Sequence, residues 1–197
     1  HAPAMGKLIM DAEQMERTYR RFAMQIAEHC DAEPFPAIIG MQSRGVHLAR
    51  RIHGIIESLL GLRLDFGVLD VTFYRDDFRT RDTMPEVQVS EIPFDLTDRD
   101  VVLVDDVLYT GRTVRSAMDA LLAYGRPRSI RFCCMVDRGH RELPIHADMV
   151  GVELPTHRSE EVLVRVSAVD GQDAVLIASP KEPRATPARH EPPGRMP

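Results

Sequence analysis

The chain has no tryptophan, and only 6% of its residues are aromatic. No apolar run approaches membrane-spanning length, and the amino terminus lacks a secretory-signal pattern. Three cysteines, two of them adjacent at Cys133 and Cys134, give neither a disulfide framework nor a zinc spacing. Neighbouring strand residues point to opposite faces, so this pair is expected to pack as small hydrophobes in a reducing cytoplasm. A net charge of −5 argues against wholesale nucleic-acid binding and leaves room for a local basic face. There is also no Gly-x-x-x-x-Gly-Lys-Ser/Thr loop and no six-residue glycine fingerprint after a strand, which removes two common nucleotide-binding modes.

What is present suits one globular domain. At 197 residues, with 44% hydrophobic and 28% charged residues, the chain can bury a full core, and two domains are not expected. Residues 1–6 are set aside as an expression remnant or disordered lead, 7–179 read as the domain, and 180–197 as a disordered tail holding six prolines. Asp11 and Gln14 form a capping-box pattern for a helix that buries Met15, Tyr19, Phe22 and Ile26 and runs to about Cys30, before Pro34 and Pro36. A buried strand is expected at Ala37–Met41, a helix from Val46 to about Leu60 closed by Gly61, and a strand over Leu64–Tyr74. Further strands are expected at Ser129–Val136, Met149–Val152, Leu163–Val166 and Val175–Ile177. Strands alternating with helices predict an α/β fold with a mostly parallel sheet, whose ligands sit outside the carboxyl ends of the strands.

The densest chemistry lies at Val101–Thr113. Four aliphatic residues, Val101 to Val104, fit a strand buried on both faces. Asp105 and Asp106 follow, able to accept hydrogen bonds from hydroxyls or to hold a hydrated cation. Then Thr110-Gly-Arg-Thr113 leads into a helix starting at Thr113 that is expected to bury Val114, Ala117, Leu121 and Leu122. Amide donors and the positive helix end favour an anion at such a turn. Acids suited to sugar hydroxyls beside a phosphate cradle suggest a phosphorylated ribose.

Other polar loops are expected to join this one. Gln42-Ser43-Arg44-Gly45, between a strand and a helix, is a second anion site, at which Arg44 can bind pyrophosphate through paired hydrogen bonds; it is expected two strands away from the motif. Arg75–Asp82 reads either as a solvated hairpin or as a lid that excludes water, with Arg75 the residue to touch pyrophosphate. Asp137–Pro144 reads as a charged turn closed by Pro144, with His140 and Arg141 lying on the surface.

The Val104–Thr113 segment resembles the phosphoribosyl-pyrophosphate (PRPP) signature of type I phosphoribosyltransferases. Taken with Thr72–Asp77, Gly125–Pro127, Val136–Ile145, Leu154–Thr156 and Ser159-Glu160, the chain resembles the PyrR family over about residues 7–178. That family comprises pyrimidine-operon attenuators with uracil phosphoribosyltransferase activity. The resemblance implies the type I fold, a central sheet flanked by helices with a small hood, and homodimers or homotetramers. It implies Mg²⁺-dependent formation of UMP and pyrophosphate from uracil and PRPP. Thr110, Gly111, Arg112 and Thr113 would fix the 5′-phosphate, Asp105 and Asp106 the ribose hydroxyls and Mg²⁺ (through water and substrate), and Ser43, Arg44 and Arg75 the pyrophosphate. Val107, Leu108 and Tyr109 belong to the same binding loop; by the same resemblance backbone groups beside Val136 to Arg138 read the base, and Arg138 and Val162 line the uracil pocket. Hypoxanthine-guanine enzymes carry an aspartate where this chain has Tyr109, whose resting pKa is too high for a ready acid, so pyrimidine is favoured over purine.

The resemblance also implies binding to the leader messenger RNA of pyrimidine genes. Candidate contacts are Arg17, Arg20 and Arg21 on the first helix, with His140, Arg141 and Arg158. Relatives carry a histidine where Met24 stands, and Met24 cannot donate a hydrogen bond. The alternative is a uridine-nucleotide-sensing attenuator with little or no turnover.

Overall fold

The structure, a computed structural model, describes residues 6–71 and 90–179. The expectations for the first five residues, for Arg75–Asp82 and for the tail from Pro180 fall outside them. The described residues form strands β1 (Lys7–Met10), β2 (Ala37–Met41), β3 (Phe66–Leu69), β4 (Asp100–Leu108), β5 (Ser129–Asp137), β6 (Met149–Glu153), β7 (Glu161–Arg165) and β8 (Ala174–Ala178), with helix α1 (Ala12–Ala27) after β1, α2 (Arg44–Leu60) after β2, α3 (Arg112–Leu121) after β4 and the short α4 (Ser167–Asp170) after β7. Five strands make a parallel sheet in the order β3-β2-β4-β5-β6. The antiparallel hood has the order β1-β8-β7.

The central strand shows how sequence period becomes layers. Val102 and Val104 of β4 join a core with α1 and α2, whereas Val101 and Leu103 join one with α3. This is the two-residue alternation of a strand covered on both faces. Cys133 and Cys134 divide in the same way, one to each core, and both are fully buried. Burial pushes both thiols well above their ordinary range, which leaves them inert. In α1 the capping box is present: Asp11 accepts from the Gln14 N–H at 2.8 Å and the Gln14 side chain accepts from the Asp11 N–H at 2.9 Å. Met15, Tyr19, Phe22 and Ile26 are buried as expected.

Several boundaries differ from the sequence reading. α1 ends at Ala27, because the His29 and Cys30 amides bond three residues back instead of four. Within the described part of the expected strand Leu64–Tyr74, β3 covers only Phe66–Leu69, because its partner β2 runs out at Met41, opposite Leu69, and the Asp70 N–H turns to the Ser90 hydroxyl; residues 72–74 lie outside the described residues. α2 starts at Arg44 rather than Val46, and α3 at Arg112 rather than Thr113. Leu122 is 59% exposed, not buried, because the chain tightens into a 3₁₀ turn at Leu122–Tyr124 and leaves the apolar stripe.

The base of β4 carries an acid-sensitive contact. Arg128 donates to both Asp100 oxygens, at 2.6 and 3.2 Å, and the Ser129 hydroxyl donates at 2.6 Å. The Arg128 hydrogen bonds hold the Asp100 carboxyl at about 2, against an ordinary 3.8. A depressed folded pKa stabilises the protein above the unfolded value and is lost as pH falls through the folded one. Arg128 is 58% exposed, so solvent screening reduces the effect to about 1 kcal/mol. Asp100→Asn is therefore expected to lower stability by about that amount at pH 7, with wild type and variant converging between pH 4 and pH 2. Denaturant midpoints against pH measure this, and a gap that stays constant down to pH 2 would remove the linkage.

Candidate active site

The order of the main sheet reverses between β2 and β4: β3 lies on one side of β2, and β4 to β6 on the other. A crevice opens at the carboxyl ends of two strands that diverge in this way. β2 pairs directly with β4, so the Gln42–Gly45 loop is the motif's immediate neighbour rather than two strands away. Ser43, Arg44, Asp105, Asp106, Val107, Leu108, Tyr109, Gly111, Thr113, Arg138 and Val162 all line one cleft.

β4 continues to Leu108, so the two acids lie inside the strand and face different surroundings. Asp105 is 2% exposed and accepts from the Asp106 N–H at 2.9 Å. Asp106 is half-buried and accepts from the Val107 N–H at 2.8 Å. Both acids line the cleft, Asp105 nearly enclosed at its floor and Asp106 the more open of the two. The turn that follows bends through Gly111, whose φ of 92° favours glycine and which caps α3. Thr110 is buried; its hydroxyl accepts from the Arg112 N–H at 3.2 Å and its carbonyl from the amides of Glu142 and Leu143. The Arg112 side chain reaches away to Glu142 at 2.7 Å.

The Gln42–Gly45 loop approaches this turn through two glycines. A methyl on Gly40 would lie 2.6 Å from Val46 Cα, and one on Gly45 only 2.7 Å from the Val104 carbonyl oxygen. Their absence of a side chain lets the start of α2 rest directly on β4 beside Asp105. The Gln42–Ser43 peptide is cis. Arg44 donates to both oxygens of Asp170 in the hood, at 2.8 and 3.2 Å.

The opposite wall is built around Arg138. It is 8% exposed, stacks 4.3 Å over the Tyr109 ring and donates to Thr156 Oγ1 and the carbonyls of His157 and Glu160. Burial lowers its pKa from the usual arginine range. Three hydrogen bonds and an aromatic face thus fix the guanidinium as a clamp on the Thr156–Glu160 loop. His140 also contacts the Thr156 carbonyl, at 2.6 Å, and meets Tyr109 edge-on. Arg141 holds both Asp137 oxygens, at 2.7 and 2.8 Å, and donates to the Tyr109 carbonyl. The expected surface positions of His140 and Arg141 are thus corrected: both are half-buried wall residues.

The remaining candidates lie elsewhere. Arg17 and Arg20 pair with Glu13 and Glu16 on the exposed side of α1, and Arg21 donates to the carbonyls of Val150 and Gly151. Arg158 is exposed on the loop before β7. Arg75 falls outside the described residues. Glu161 on the cleft rim and Asp170 behind it escaped the sequence reading, since nothing local in an ordinary acidic residue reveals a long-range partner.

Among the described residues no group of three or more His, Cys, Asp or Glu side chains is arranged to hold a metal ion. Two carboxylates with room for substrate oxygens and water still fit magnesium, which retains several waters and binds through one or two carboxylates plus phosphates.

Comparison with known proteins gives a consistent picture. Residues 6–168 match the phosphoribosyl transferase domain family. The Bifunctional protein PyrR of Thermus thermophilus is 50% identical over 169 residues, covering 86% of this chain and 93% of that one. The Bifunctional protein PyrR of Roseiflexus sp. is 48% identical over 172 residues, covering 87% and 94%. Among solved structures, the hypoxanthine phosphoribosyltransferase of Trypanosoma cruzi in complex with IMP superposes with a TM-score of 0.69 at 14% identity, covering 91% of this chain and 97% of that one. The Staphylococcus aureus hypoxanthine phosphoribosyltransferase gives 0.66 at 16%, covering 90% and 94%. At such identities the structural likeness speaks for the fold, a type I phosphoribosyltransferase sheet with its hood, and not for the base.

Proposed function

The chain belongs to the phosphoribosyl transferase domain family, in its PyrR branch, and from that premise we propose that it is a bifunctional protein: a uracil phosphoribosyltransferase that makes UMP and pyrophosphate from uracil and PRPP, and a cytoplasmic regulator of pyrimidine genes through their leader messenger RNA. Residues 7–179 form its single transferase domain. The observation that carries the catalytic half is one cleft lined by Asp105 and Asp106, the Gly111–Thr113 helix start and the Ser43-Arg44 loop.

In this reading the amides of Gly111 to Thr113 and the positive end of α3 hold the 5′-phosphate. Asp106, supported by Asp105, accepts from the ribose hydroxyls. Ser43 and Arg44 stabilise charge as the C1′–O bond to pyrophosphate breaks. Uracil N1, held against Tyr109, Val162 and the Arg138 wall, forms the new C1′–N bond and gives its proton to solvent or to the departing pyrophosphate. Asp105 and Asp106 would hold Mg²⁺ through water and substrate, and its charge would offset that of the pyrophosphate. Tyr109 in place of a carboxylate supports pyrimidine over purine.

The test is pyrophosphate release from PRPP and Mg²⁺ with uracil, and with orotate, hypoxanthine and adenine in parallel. Release with uracil alone is expected. No release with any base, despite PRPP or UMP binding, would replace this reading with that of a nucleotide sensor without turnover. The regulatory half predicts UMP-dependent binding of a leader hairpin, weakened by salt in proportion to the phosphates contacted.

A further inference from the structure

Two acids in the hood face two arginines on one side of α2. Arg44 and Arg51 lie seven residues apart, two helical turns, and so share a face. Arg44 meets Asp170, and Arg51 meets Asp173 together with Glu16 of α1 while stacking on Tyr19. The two pairs stand in different places. Arg51 points into the junction of α1, α2 and the hood, whereas Arg44 lines the substrate cleft.

The Asp170 carboxylate is itself fixed. Its Oδ2 accepts from the Val166 N–H at 2.8 Å as well as from Arg44 Nε, and its Oδ1 accepts from Arg44 Nη2. Only 18% of its side chain is exposed. Two parallel N–H···O bonds from one guanidinium are also the geometry in which arginine takes a phosphate group. An anion of this chain thus occupies the fork that a phosphoryl oxygen pair would use.

We propose that Asp170 is a built-in stand-in for pyrophosphate, which holds the Arg44 fork when the cleft is empty and must be displaced from it when pyrophosphate or PRPP binds. The proposal rests on the reading of Gln42–Gly45 as the pyrophosphate loop. Displacement unties the cleft-side attachment of the hood while the Arg51–Asp173 pair keeps the rest anchored. Occupancy of the leaving-group site is thereby transmitted to the strand that bears Val162. Because the competition is internal, the apparent affinity is reduced by the fraction of molecules in which the fork is taken.

The experiment is calorimetric titration of inorganic pyrophosphate into the full chain, with and without Mg²⁺, at constant ionic strength. Asp170→Asn keeps an oxygen for the Val166 amide but removes the charge, and is expected to tighten pyrophosphate about five- to tenfold without Mg²⁺. Asp173→Asn, which loosens the same hood without touching Arg44, is expected to leave that affinity unchanged. In an Arg44→Gln background the effect of Asp170→Asn should vanish. Unchanged or weaker binding in Asp170→Asn would overturn the inference. So would equal tightening in Asp173→Asn, which makes it hood loosening, or its persistence beside Arg44→Gln, which makes it general repulsion. If Arg44→Gln alone leaves pyrophosphate affinity intact, the loop assignment itself fails, an outcome distinct from the others.

Discussion

Asp106→Asn is expected to lower kcat/KM by about two to three orders of magnitude while changing stability by less than about 1 kcal/mol. The asymmetry follows from where the carboxylate sits. One of its oxygens accepts from the Val107 N–H at 2.8 Å, a bond that an asparagine oxygen can keep, so the end of β4 has little reason to move. What the substitution removes is charge. A carboxylate accepts hydrogen bonds from a sugar diol and attracts a hydrated cation at each oxygen, whereas an amide offers one acceptor and turns two donors toward those same groups. Asp106 is half-buried at the cleft wall, so the lost interaction is less screened than one on the surface. Steady-state kinetics with uracil and PRPP, with denaturant unfolding of the same samples, separate the two quantities. Turnover equal to wild type would take Asp106 out of the reaction, and a loss of activity that merely tracks loss of stability would make it a scaffold residue.

The difference between Asp105 and Asp106 shows where sequence reading stops. That two acids follow a buried strand and precede a phosphate-binding turn is local information, carried by an apolar run and by residues suited to a helix start. Which acid is buried depends on Gly45 coming down onto the strand, sixty residues earlier in the chain. The three long helices were legible for the same local reason: in α1, apolar spacing places Met15, Tyr19, Phe22 and Ile26 on one stripe and the capping box marks the start, whereas the four-residue α4 is too short to show a period. β1 was not legible. Lys-Leu-Ile-Met is too short for a period, and its pairing with β8, at the far end of the described chain, is what makes it a strand. Arg138 was expected to line the base pocket and does line the cleft, but the tying of its guanidinium to Thr156, His157 and Glu160 was not legible, because the loop that brings those acceptors follows it by some twenty residues. Motifs were visible, and the partners that position them were not.

Gly45→Ala is expected to lower kcat/KM about a hundredfold and to destabilise the fold by about 1–3 kcal/mol, although alanine is the better helix former. The added methyl would lie 2.7 Å from the Val104 carbonyl oxygen, 3.0 Å from Asp105 Cα and 3.2 Å from Asp105 Oδ1. Two of those three atoms are backbone of a central strand paired on both sides, so β4 cannot yield. The start of α2 must retreat instead, carrying Ser43 and Arg44 away from Asp105 and Asp106. A shift of well under 1 Å is enough to misalign groups that hold two ends of one substrate. Gly54→Ala in the same helix isolates the cause, for a methyl there meets nothing within 4 Å. That variant should gain about 0.5–1 kcal/mol of stability from helix propensity with unaltered turnover. If Gly45→Ala behaved like Gly54→Ala, the close seating of α2 on β4 would be incidental. If it loses activity while pyrophosphate and UMP still bind with wild-type affinity, the loss lies in the relative placement of the two anion sites, which is what a leaving group and a 5′-phosphate on one ribose require.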